Sequence, residues 1–288
     1  MDIVIEDIAL EEETVLNNRF LIKSVHYIGE QGITYIGIDS LCQKEVIIKE
    51  FMPYRIANRD MDKKSLICRS GKYKKKYCDF KSVFRNECEC TKKIKNINKP
   101  YEGCVTKYID SFEENNTLYL VIEKVIGSPL DECIEKLNLE DKYTIIKFLI
   151  GIILEIHRNG IFHCDIKPSN IIVRPDMKIS LIDFGTSCKR NGPQNNIQYV
   201  SRGFSAPELY TKEKISSSTD IYSLGAVIYY ILTGFQLPQA DDIDDTEEIP
   251  RISEFVEISE FKEKAFMKML ERDKRKRLRS VILLYLTL

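Results

Sequence analysis

The stretch GIFHCDIKPSNIIV, residues 160–173, places His163, Asp165, Lys167 and Asn170 within eight positions. Apolar residues stand on both sides of this group, as is typical of strand ends. A carboxylate, an ammonium group and an amide at this spacing indicate a reactive loop between two short strands. No acid or base role is predicted for His163, because a histidine on an apolar flank is usually a hydrogen-bonded core residue.

A second strand follows this loop and carries one more carboxylate. The runs IIV and ISLID are joined by RPDMK, which contains turn residues, so the two strands are predicted to form a hairpin. The hairpin would bring Asn170 and Asp183 to the same end, where two oxygen ligands suit a Mg²⁺ ion that carries phosphates. Asp165 could then accept a hydroxyl proton, and Lys167 could stabilise charge on a transferring phosphoryl group.

Size and composition limit the classes of protein to consider. The chain has 288 residues, a mass of 33.5 kDa and 43% apolar residues, enough for one large domain or two joined lobes. Lys and Arg together number 43 and Asp and Glu 44, so charge alone predicts no general attraction to nucleic acid or to an anionic membrane. We therefore do not expect nucleic acid as a partner, and the sequence predicts no oligomeric state.

The sequence predicts a cytoplasmic protein without a membrane span. Its acidic start, MDIVIEDIALEEE, lacks the positive leader of a secretory signal, and the most apolar long segment, 145–156, is too short to cross a bilayer. The nine cysteines are odd in number and contain no C-x-x-C pair. Reduced thiols are therefore predicted rather than disulfides or a zinc site.

The character of the sequence changes near residue 126. Short strand-like runs precede this point, with one helical pattern over 80–95, and longer helical patterns follow over 141–159, 219–233 and 259–272. This order predicts an α+β protein with a small sheet lobe followed by a larger, mainly helical lobe. The predicted organisation is an acidic segment over 1–16, a first lobe over 17–125 and a second lobe over 126–288.

The motif HCDIKPSN, followed by DFG, resembles the signatures H-R-D-x-K-x-x-N and D-F-G of the eukaryotic-like (Hanks-type) Ser/Thr protein kinases. The segments KEFMP and FEENNTLYLVIE are similar to the corresponding segments of bacterial members of that family. The resemblance extends over almost the whole chain and implies the two-lobed kinase fold, with one regulatory helix in the first lobe. It implies ATP and Mg²⁺ as cofactors, with Mn²⁺ as an alternative ion. Asp165 and Lys167 would be catalytic, and Asn170 and Asp183 would bind the metal.

The resemblance also selects residues of the first lobe. VIIKEF resembles the third-strand lysine motif and implies that Lys49 contacts the α- and β-phosphates, paired with Glu87 of the helical stretch VFRNECECTKKI. Glu89 is the competing partner, but it points about 200° around the helix from Glu87. Ile122 would be the gatekeeper, before a hinge whose backbone hydrogen-bonds adenine. The residues implied to line the nucleotide are Ile28, Gly29, Gly32, Ile47, Lys49, Ile122, Glu123, Val125 and Ile172.

Three downstream positions fit the same family. SRGFSAPELY resembles the end of an activation segment and contains Glu208. Asp220 opens what resembles the long central helix of the second lobe. Arg277, in ERDKRKRLRS, resembles the arginine that pairs with that glutamate.

The sequence also departs from the family pattern. YIGEQGITYIG keeps Gly29 and Gly32 but lacks the full G-x-G-x-x-G, which predicts either weakened ATP binding or an ordinary hairpin turn. Ile47 replaces the alanine of V-A-I-K. Cys164 replaces the H-R-D arginine, which in the family pairs with a phosphate on the activation segment. Activity independent of such phosphorylation is therefore predicted, although the segment offers hydroxyl groups at Thr186, Ser187, Tyr199 and Ser201.

Three functional classes remain open at the level of sequence. The first is an ATP-dependent Ser/Thr protein kinase that acts on protein hydroxyl groups. The second is a nucleotide-binding pseudokinase scaffold, and the third is a small-molecule phosphotransferase. The lysine-rich insert between Lys49 and Glu87 is either a solvated loop or a docking surface for acidic partners or nucleic acid. Cys164 and Cys188 are either inert buried thiols or an oxidant-sensitive pair.

Overall fold

A computed structural model of the 288-residue chain describes residues 8–94, 97, 101–190, 192, 200–211, 213–240, 248–278 and 280–287. The chain forms two compact units. The first comprises 1–92 and 106–124, and the second comprises 93–105 and 125–288. Strands dominate the first unit and helices the second, so the predicted α+β class is confirmed.

The first unit is built on a six-stranded antiparallel sheet. Its strands, with those of one further hairpin, are β1 (Val15–Leu16), β2 (Phe20–Ile28), β3 (Gly32–Asp39), β4 (Lys44–Phe51), β5 (Ala57–Arg59), β6 (Leu66–Cys68), β7 (Tyr108–Glu114) and β8 (Thr117–Glu123). The order in the sheet is β1-β2-β3-β4-β8-β7. Apolar side chains at alternate positions, including Ile22, Tyr35 and Ile48, fill the core against one face.

Residues outside the sheet complete the first unit. Ile8, Ala9 and Leu10 are buried in its core, so part of the predicted separate segment over 1–16 packs with the sheet, while residues 1–7 lie outside the described residues. The insert after β4 contains the β5–β6 hairpin and leads into helix α1 (Lys74–Ile94). This helix begins at Lys74, before the predicted residue 80. Its start was not evident from the sequence, because the first turn is rich in lysine, which the helix dipole disfavours at that end.

The second unit contains the long helices that the sequence predicted. Its helices are α2 (Leu130–Cys133), α3 (Leu139–Arg158), α4 (Pro207–Thr211), α5 (Ser217–Thr233), α6 (Glu260–Met269) and α7 (Ile282–Thr287). Asn138 and Ser216 are the N-cap residues of α3 and α5, and each takes part in a capping box. A capping box satisfies N–H groups that the first turn of a helix leaves unpaired. Within the described ranges, no helix has the length and apolar character needed to cross a membrane.

Short strands of the second unit hold the loops that carry the polar motifs. They are β9 (Ser128–Pro129), β10 (Ile161–Phe162), β11 (Ile171–Val173), β12 (Ile179–Leu181) and β13 (Cys188–Lys189). The predicted hairpin is confirmed, since β11 and β12 pair antiparallel with Ile171 opposite Leu181. β10 pairs with β13, which brings the segment after the D-F-G motif alongside the start of the polar loop.

Candidate active site

Lys49 and Glu87 form an ion pair within the first unit. Lys49 lies on β4 and Glu87 on α1, and their Nζ and Oε1 atoms are 2.7 Å apart. Glu87 shares the buried face of the helix with Phe84 and Cys88, whereas Glu89 is exposed. The structure therefore brings together the lysine and the glutamate that the sequence selected, and it separates Glu89 from them.

Strand register places apolar side chains beside Lys49 on one face of the sheet. Ile47 is opposite Ile36 on β3 and opposite Ile122 on β8. Directly paired residues share a face, and so do residues two apart on one strand. Ile36, Ile47, Ile122 and Lys49 therefore lie on the same side, where an apolar strip adjoins a cation.

Ile28 lies on the other face of this sheet. It is paired with Ile33, whose side chain is fully buried in the core. Ile28 packs against the same core cluster and does not join Lys49, contrary to the expectation from the sequence. Gly29 and Gly32 flank a two-residue turn, across which the Gly29 N–H donates to the Gly32 carbonyl at 2.9 Å.

One backbone group of the predicted hinge is already hydrogen-bonded within the first unit. Glu123 ends β8, and its N–H donates to the carbonyl of Lys107 at 2.9 Å. The carbonyl of Glu123 is therefore the backbone group through which this residue can meet a ligand. Val125 is the first residue of the longer segment of the second unit, 125–288. Ile172, also expected to line the nucleotide, is buried on β11 of that unit.

Asp165, Lys167 and Asn170 converge in the loop between β10 and β11. The Oδ2 atom of Asp165 is 2.7 Å from Lys167 Nζ and 3.0 Å from Asn170 Nδ2. The same Asn170 amide donates to the backbone carbonyl of Asp165 at 2.9 Å. A single 3₁₀ turn, Pro168–Asn170, sets this spacing. The carboxylate is thus fixed between a cation and an amide donor.

Asp183 stands beside Asn170 at the end of the β11–β12 hairpin. The N–H of Ile182 donates to the Asn170 carbonyl at 2.9 Å, which sets the two residues at the same hairpin end. Asp183 has a φ of 64°, a left-handed conformation that is uncommon for residues other than glycine, and its Oδ1 accepts from the N–H of Gly185 at 3.2 Å. The amide nitrogen of Asn170 is held by Asp165, so its Oδ1 and the Asp183 carboxylate form an oxygen donor pair. Such donors fit a Mg²⁺ ion.

Asp220, in the first turn of α5, anchors the start of the polar loop. Its carboxylate accepts from the N–H groups of His163 and Cys164 at 2.9 and 2.8 Å, and it lies 2.7 Å from His157 Nε2. Burial by itself would raise the pKa of Asp220, but His157 and the backbone donors outweigh it, and the pKa lies below its ordinary value. Burial lowers the pKa of His163, which favours the neutral ring and agrees with the structural role predicted for it.

Comparison with known proteins identifies the family to which a chain with these features belongs. The family model described as "Protein kinase domain" matches residues 29–284. The chain belongs to this family. Its first unit carries the lysine–glutamate pair, and its second unit carries the polar loop and the D-F-G aspartate.

Curated relatives of this protein kinase domain are themselves kinases. It is 30% identical over 230 residues to Serine/threonine-protein kinase D of Synechocystis, and 27% identical over 227 residues to a probable serine/threonine-protein kinase of Clostridium acetobutylicum. These matches cover 76% and 77% of the chain but only 41% and 31% of the relatives. The chain therefore spans less than half the length of these two relatives.

A relative from an animal and a solved structure complete the comparison. The chain is 27% identical over 237 residues to a stress-activated protein kinase, JNK, of Suberites domuncula, covering 78% of the chain and 57% of the relative. It also resembles the solved structure of PpkA-294 in its apo form, with a TM-score of 0.75, 22% sequence identity, and coverage of 95% of this chain and 96% of that one. The structural likeness establishes the protein kinase fold.

A buried ion pair that the sequence predicted stabilises the second unit of the kinase domain. Both terminal guanidinium nitrogens of Arg277 donate to the Glu208 carboxylate, at 2.7 and 2.8 Å, and both residues are almost fully buried. Thr219 Oγ1 donates to the same carboxylate at 3.0 Å. The predicted pairing of Arg277 with Glu208 is confirmed, and it holds the end of the activation segment against α5.

Ser201 is part of the site, although the sequence presented it only as a candidate for phosphorylation. Its hydroxyl donates to Asp165 Oδ1 at 2.6 Å and accepts from Lys167 Nζ at 3.2 Å. The Ser201 N–H in turn donates to Ser205 Oγ at 2.7 Å. The only indication of Ser201 in the sequence was its hydroxyl group seven positions before Glu208. The fold shows which side chains this hydroxyl group contacts.

Cys164 lies in an apolar pocket. It clusters with Phe162, Cys188, Leu209 and Ile215, all buried. The Cys164 and Cys188 sulfur atoms are 3.8 Å apart, and this contact together with burial raises the pKa of the Cys164 thiol. A thiol in such a setting is a poor nucleophile, which favours the inert alternative considered from the sequence.

Proposed function

We propose that the chain is an ATP-dependent serine/threonine protein kinase, which transfers the γ-phosphate of ATP to hydroxyl groups of proteins. The observation that carries this proposal is the contact of Asp165 with an alcohol and an ammonium group together. Ser201 Oγ lies 2.6 Å from the carboxylate and 3.2 Å from Lys167 Nζ. These contacts support a role for Asp165 as the acceptor of a hydroxyl proton, beside a cation that can stabilise phosphoryl oxygens.

Each polar residue has a role in this proposal. In the second unit, Asp165 is the base and Lys167 neutralises charge on the transferred group. Asn170 and Asp183 would hold Mg²⁺, which supplies charge neutralisation for the phosphates of ATP. In the first unit, Lys49 would bind the α- and β-phosphates. Its 2.7 Å contact with Glu87 orients the ammonium group on the apolar face suited to adenine.

A protein substrate is proposed because the curated relatives are named as protein kinases, those from bacteria as serine/threonine-protein kinases. Lys167 and the buried pair of Glu208 with Arg277 support the same assignment, because the resemblance links the first to Ser/Thr kinases and the second to a peptide-docking segment. We propose a cytoplasmic location for this activity on the same basis of resemblance. Small-molecule phosphotransfer is the competing activity that an assay must separate.

We further propose that activity does not depend on phosphorylation of the activation segment. Cys164 packs in an apolar cluster, and its neutral thiol cannot make the charge pair that the H-R-D arginine makes with a phosphate in the family. Ser187 is fully buried and donates to the His163 carbonyl at 3.3 Å, and the Thr186 hydroxyl donates to the same carbonyl at 3.0 Å. Both hydroxyl groups are already used in the fold. Tyr199 lies outside the described residues.

The altered glycine turn and Ile47 support one second candidate, a pseudokinase scaffold that binds nucleotide with little turnover. Gly29 and Gly32 frame a closed two-residue turn, in which the Gly29 N–H is already hydrogen-bonded. Backbone amides used in this way are less available to phosphates. This candidate predicts nucleotide binding without measurable transfer.

Transfer of radiolabelled phosphate from ATP with Mg²⁺ tests these alternatives. Wild-type protein is expected to phosphorylate itself or a serine- and threonine-containing peptide mixture, and Asp165→Asn is expected to lower the rate by about 10²–10⁴-fold. Asp176→Asn, an exposed aspartate in the β11–β12 turn, is the matched control and should retain activity. Binding of ATP with no transfer by wild type would favour the scaffold, and labelling of sugars or aminoglycosides instead of peptides would favour small-molecule transfer.

Phosphatase treatment tests the regulatory part of the proposal. Protein freed of phosphate, as verified by mass spectrometry, should keep its initial rate, because the neutral Cys164 side chain cannot form the charge pair of the H-R-D arginine. Loss of turnover after complete dephosphorylation, restored by rephosphorylation, would refute this part while leaving the kinase assignment intact.

A further inference from the structure

The end of β2 presents an aromatic side chain on the face of the sheet that carries Lys49. Tyr27 on β2 is paired with Thr34 on β3, and Thr34 is paired with Lys49 on β4. Directly paired residues share a face, so the three side chains form one row across three strands. Two strand spacings, roughly 10 Å, separate the backbones of Tyr27 and Lys49.

Tyr27 stands two residues before Gly29, where the glycine turn begins. Tyr27 is 65% exposed, and the described residues provide no hydrogen-bond partner for its hydroxyl. A large exposed aromatic residue with an unbonded hydroxyl therefore stands in the same row as the cation.

The two glycines that remain have packing reasons of their own. A Cβ on Gly32 would lie 2.6 Å from the Glu50 carbonyl of the neighbouring strand, so only glycine fits there. A Cβ on Gly29 would lie 3.2 Å from Cε1 of Tyr27, whose ring covers this residue. The Gly29 N–H bonds across the turn, and the Gln31 carbonyl accepts from the N–H of Met52 at 3.0 Å. The turn is thus closed upon the sheet, and its glycines do not reserve space for phosphates.

We infer that Tyr27 is a nucleotide-contacting residue whose hydroxyl donates to the phosphate groups, a contact that the closed glycine turn does not make. The inference rests on the proposed function. Two neighbouring rows of side chains on this face indicate which part of the nucleotide Tyr27 would contact. The neighbouring row, Ser24, Ile36, Ile47 and Ile122, is mostly apolar and suits a base, whereas the row of Tyr27 contains Thr34 and Lys49 and suits an anion.

Binding measurements on three ligands test this inference. Calorimetry with Mg²⁺ and ATP, ADP or adenosine is performed on wild type, Tyr27→Phe, Tyr27→Gly and His26→Ala. Tyr27→Phe is expected to weaken ATP and ADP about tenfold, because one hydrogen bond to a charged group is lost, and to leave adenosine within twofold. Tyr27→Gly should weaken ATP at least as much. His26→Ala, at the exposed neighbour in the β-bulge, should leave the affinity for all three ligands unchanged.

Steady-state kinetics separate a contact role from a structural one. Tyr27→Phe should raise KM for ATP about tenfold with kcat within twofold, while circular dichroism and the thermal midpoint remain those of wild type. Three results overturn the inference: unchanged ATP affinity in Tyr27→Phe, tighter ATP binding in Tyr27→Gly, or equal losses for adenosine and ATP. If wild type binds no ATP at all, the proposed function falls and the inference falls with it. If wild type binds ATP and Tyr27→Phe matches it, only the inference falls.

Discussion

Lys49 and Glu50 are neighbours on β4 and form ion pairs on opposite faces of the sheet, in very different surroundings. The Lys49 side chain is 19% exposed, and it meets Glu87 at 2.7 Å. The Glu50 side chain is fully buried and receives both terminal nitrogens of Arg59 at 2.6 Å. The first pair remains within reach of solvent, whereas the second is sealed in the core.

The buried pair is held by further hydrogen bonds. The hydroxyl groups of Tyr35 and Tyr119 donate to the Glu50 carboxylate at 2.7 and 3.0 Å. Arg59 also donates to the carbonyl of Ile8, which ties the segment before the sheet to the β5–β6 hairpin. A charge without water is stable only when it is paired and hydrogen-bonded, and this network meets that condition. The comparison teaches that one strand can serve chemistry on one face and folding on the other.

Removal of Arg59 should produce the largest loss of stability. Arg59→Met leaves the Glu50 carboxylate buried without its cation, and this is expected to cost about 3–5 kcal/mol. Thermal unfolding of the whole chain measures the loss as a lowered midpoint. Arg55→Met is the matched control, because Arg55 is exposed and its contact with Glu30 is longer, 3.4 Å. Equal midpoints for the two variants would show that the buried network contributes nothing specific.

Removal of Lys49 should cost less stability and far more activity. Lys49→Met breaks one charged contact, expected to cost about 1.5–3 kcal/mol, and it should lower phosphoryl transfer by at least about 10²-fold. Lys44→Met, at the exposed start of the same strand, controls for the loss of a charge. Full activity in folded Lys49→Met would remove this residue from the proposed mechanism.

The tyrosines of the network should make the first unit sensitive to alkali, the smallest of the three effects. Burial, together with the Glu50 charge, raises the pKa of both Tyr35 and Tyr119. In the unfolded chain these tyrosines ionise near pH 10, whereas in the folded chain they stay neutral. Their stabilisation is therefore complete below about pH 10 and is lost as the pH rises towards the folded values, by less than about 1 kcal/mol per group at pH 10.5.

Thermal midpoints between pH 8 and 11 measure this decline. Tyr35→Phe should start from a lower midpoint, because Glu50 and the N–H of Leu10 lose a partner, and should then fall less steeply than wild type. Tyr27→Phe, at an exposed tyrosine of the same sheet, should follow the wild-type curve. If the midpoint of Tyr35→Phe falls with pH as steeply as that of wild type, groups other than Tyr35 cause the loss of stability in alkali.

The sequence was sufficient where local order carries the information. Local spacing pointed to Asp165, Lys167 and Asn170, and the resemblance to the protein kinases selected Lys49 and Glu87. The structure brings these residues together in two groups, one in each unit. Strand and helix periodicity predicted the α+β class and the three long helices of the second unit, α3, α5 and α6, to within a few residues. The order of short motifs also carried the resemblance that the family comparison confirmed.

The folded chain decided what depends on contacts between distant segments. Ser201 meets Asp165 across 36 positions, and Arg59 meets Glu50 through a hairpin whose register no local pattern gives. Ile28 was expected beside the nucleotide, yet pairing with Ile33 turns it to the core and leaves Tyr27 on the face of Lys49. Local periodicity shows that side chains alternate along a strand, but only the pairing of strands determines which partners each face meets, because those partners come from elsewhere in the chain.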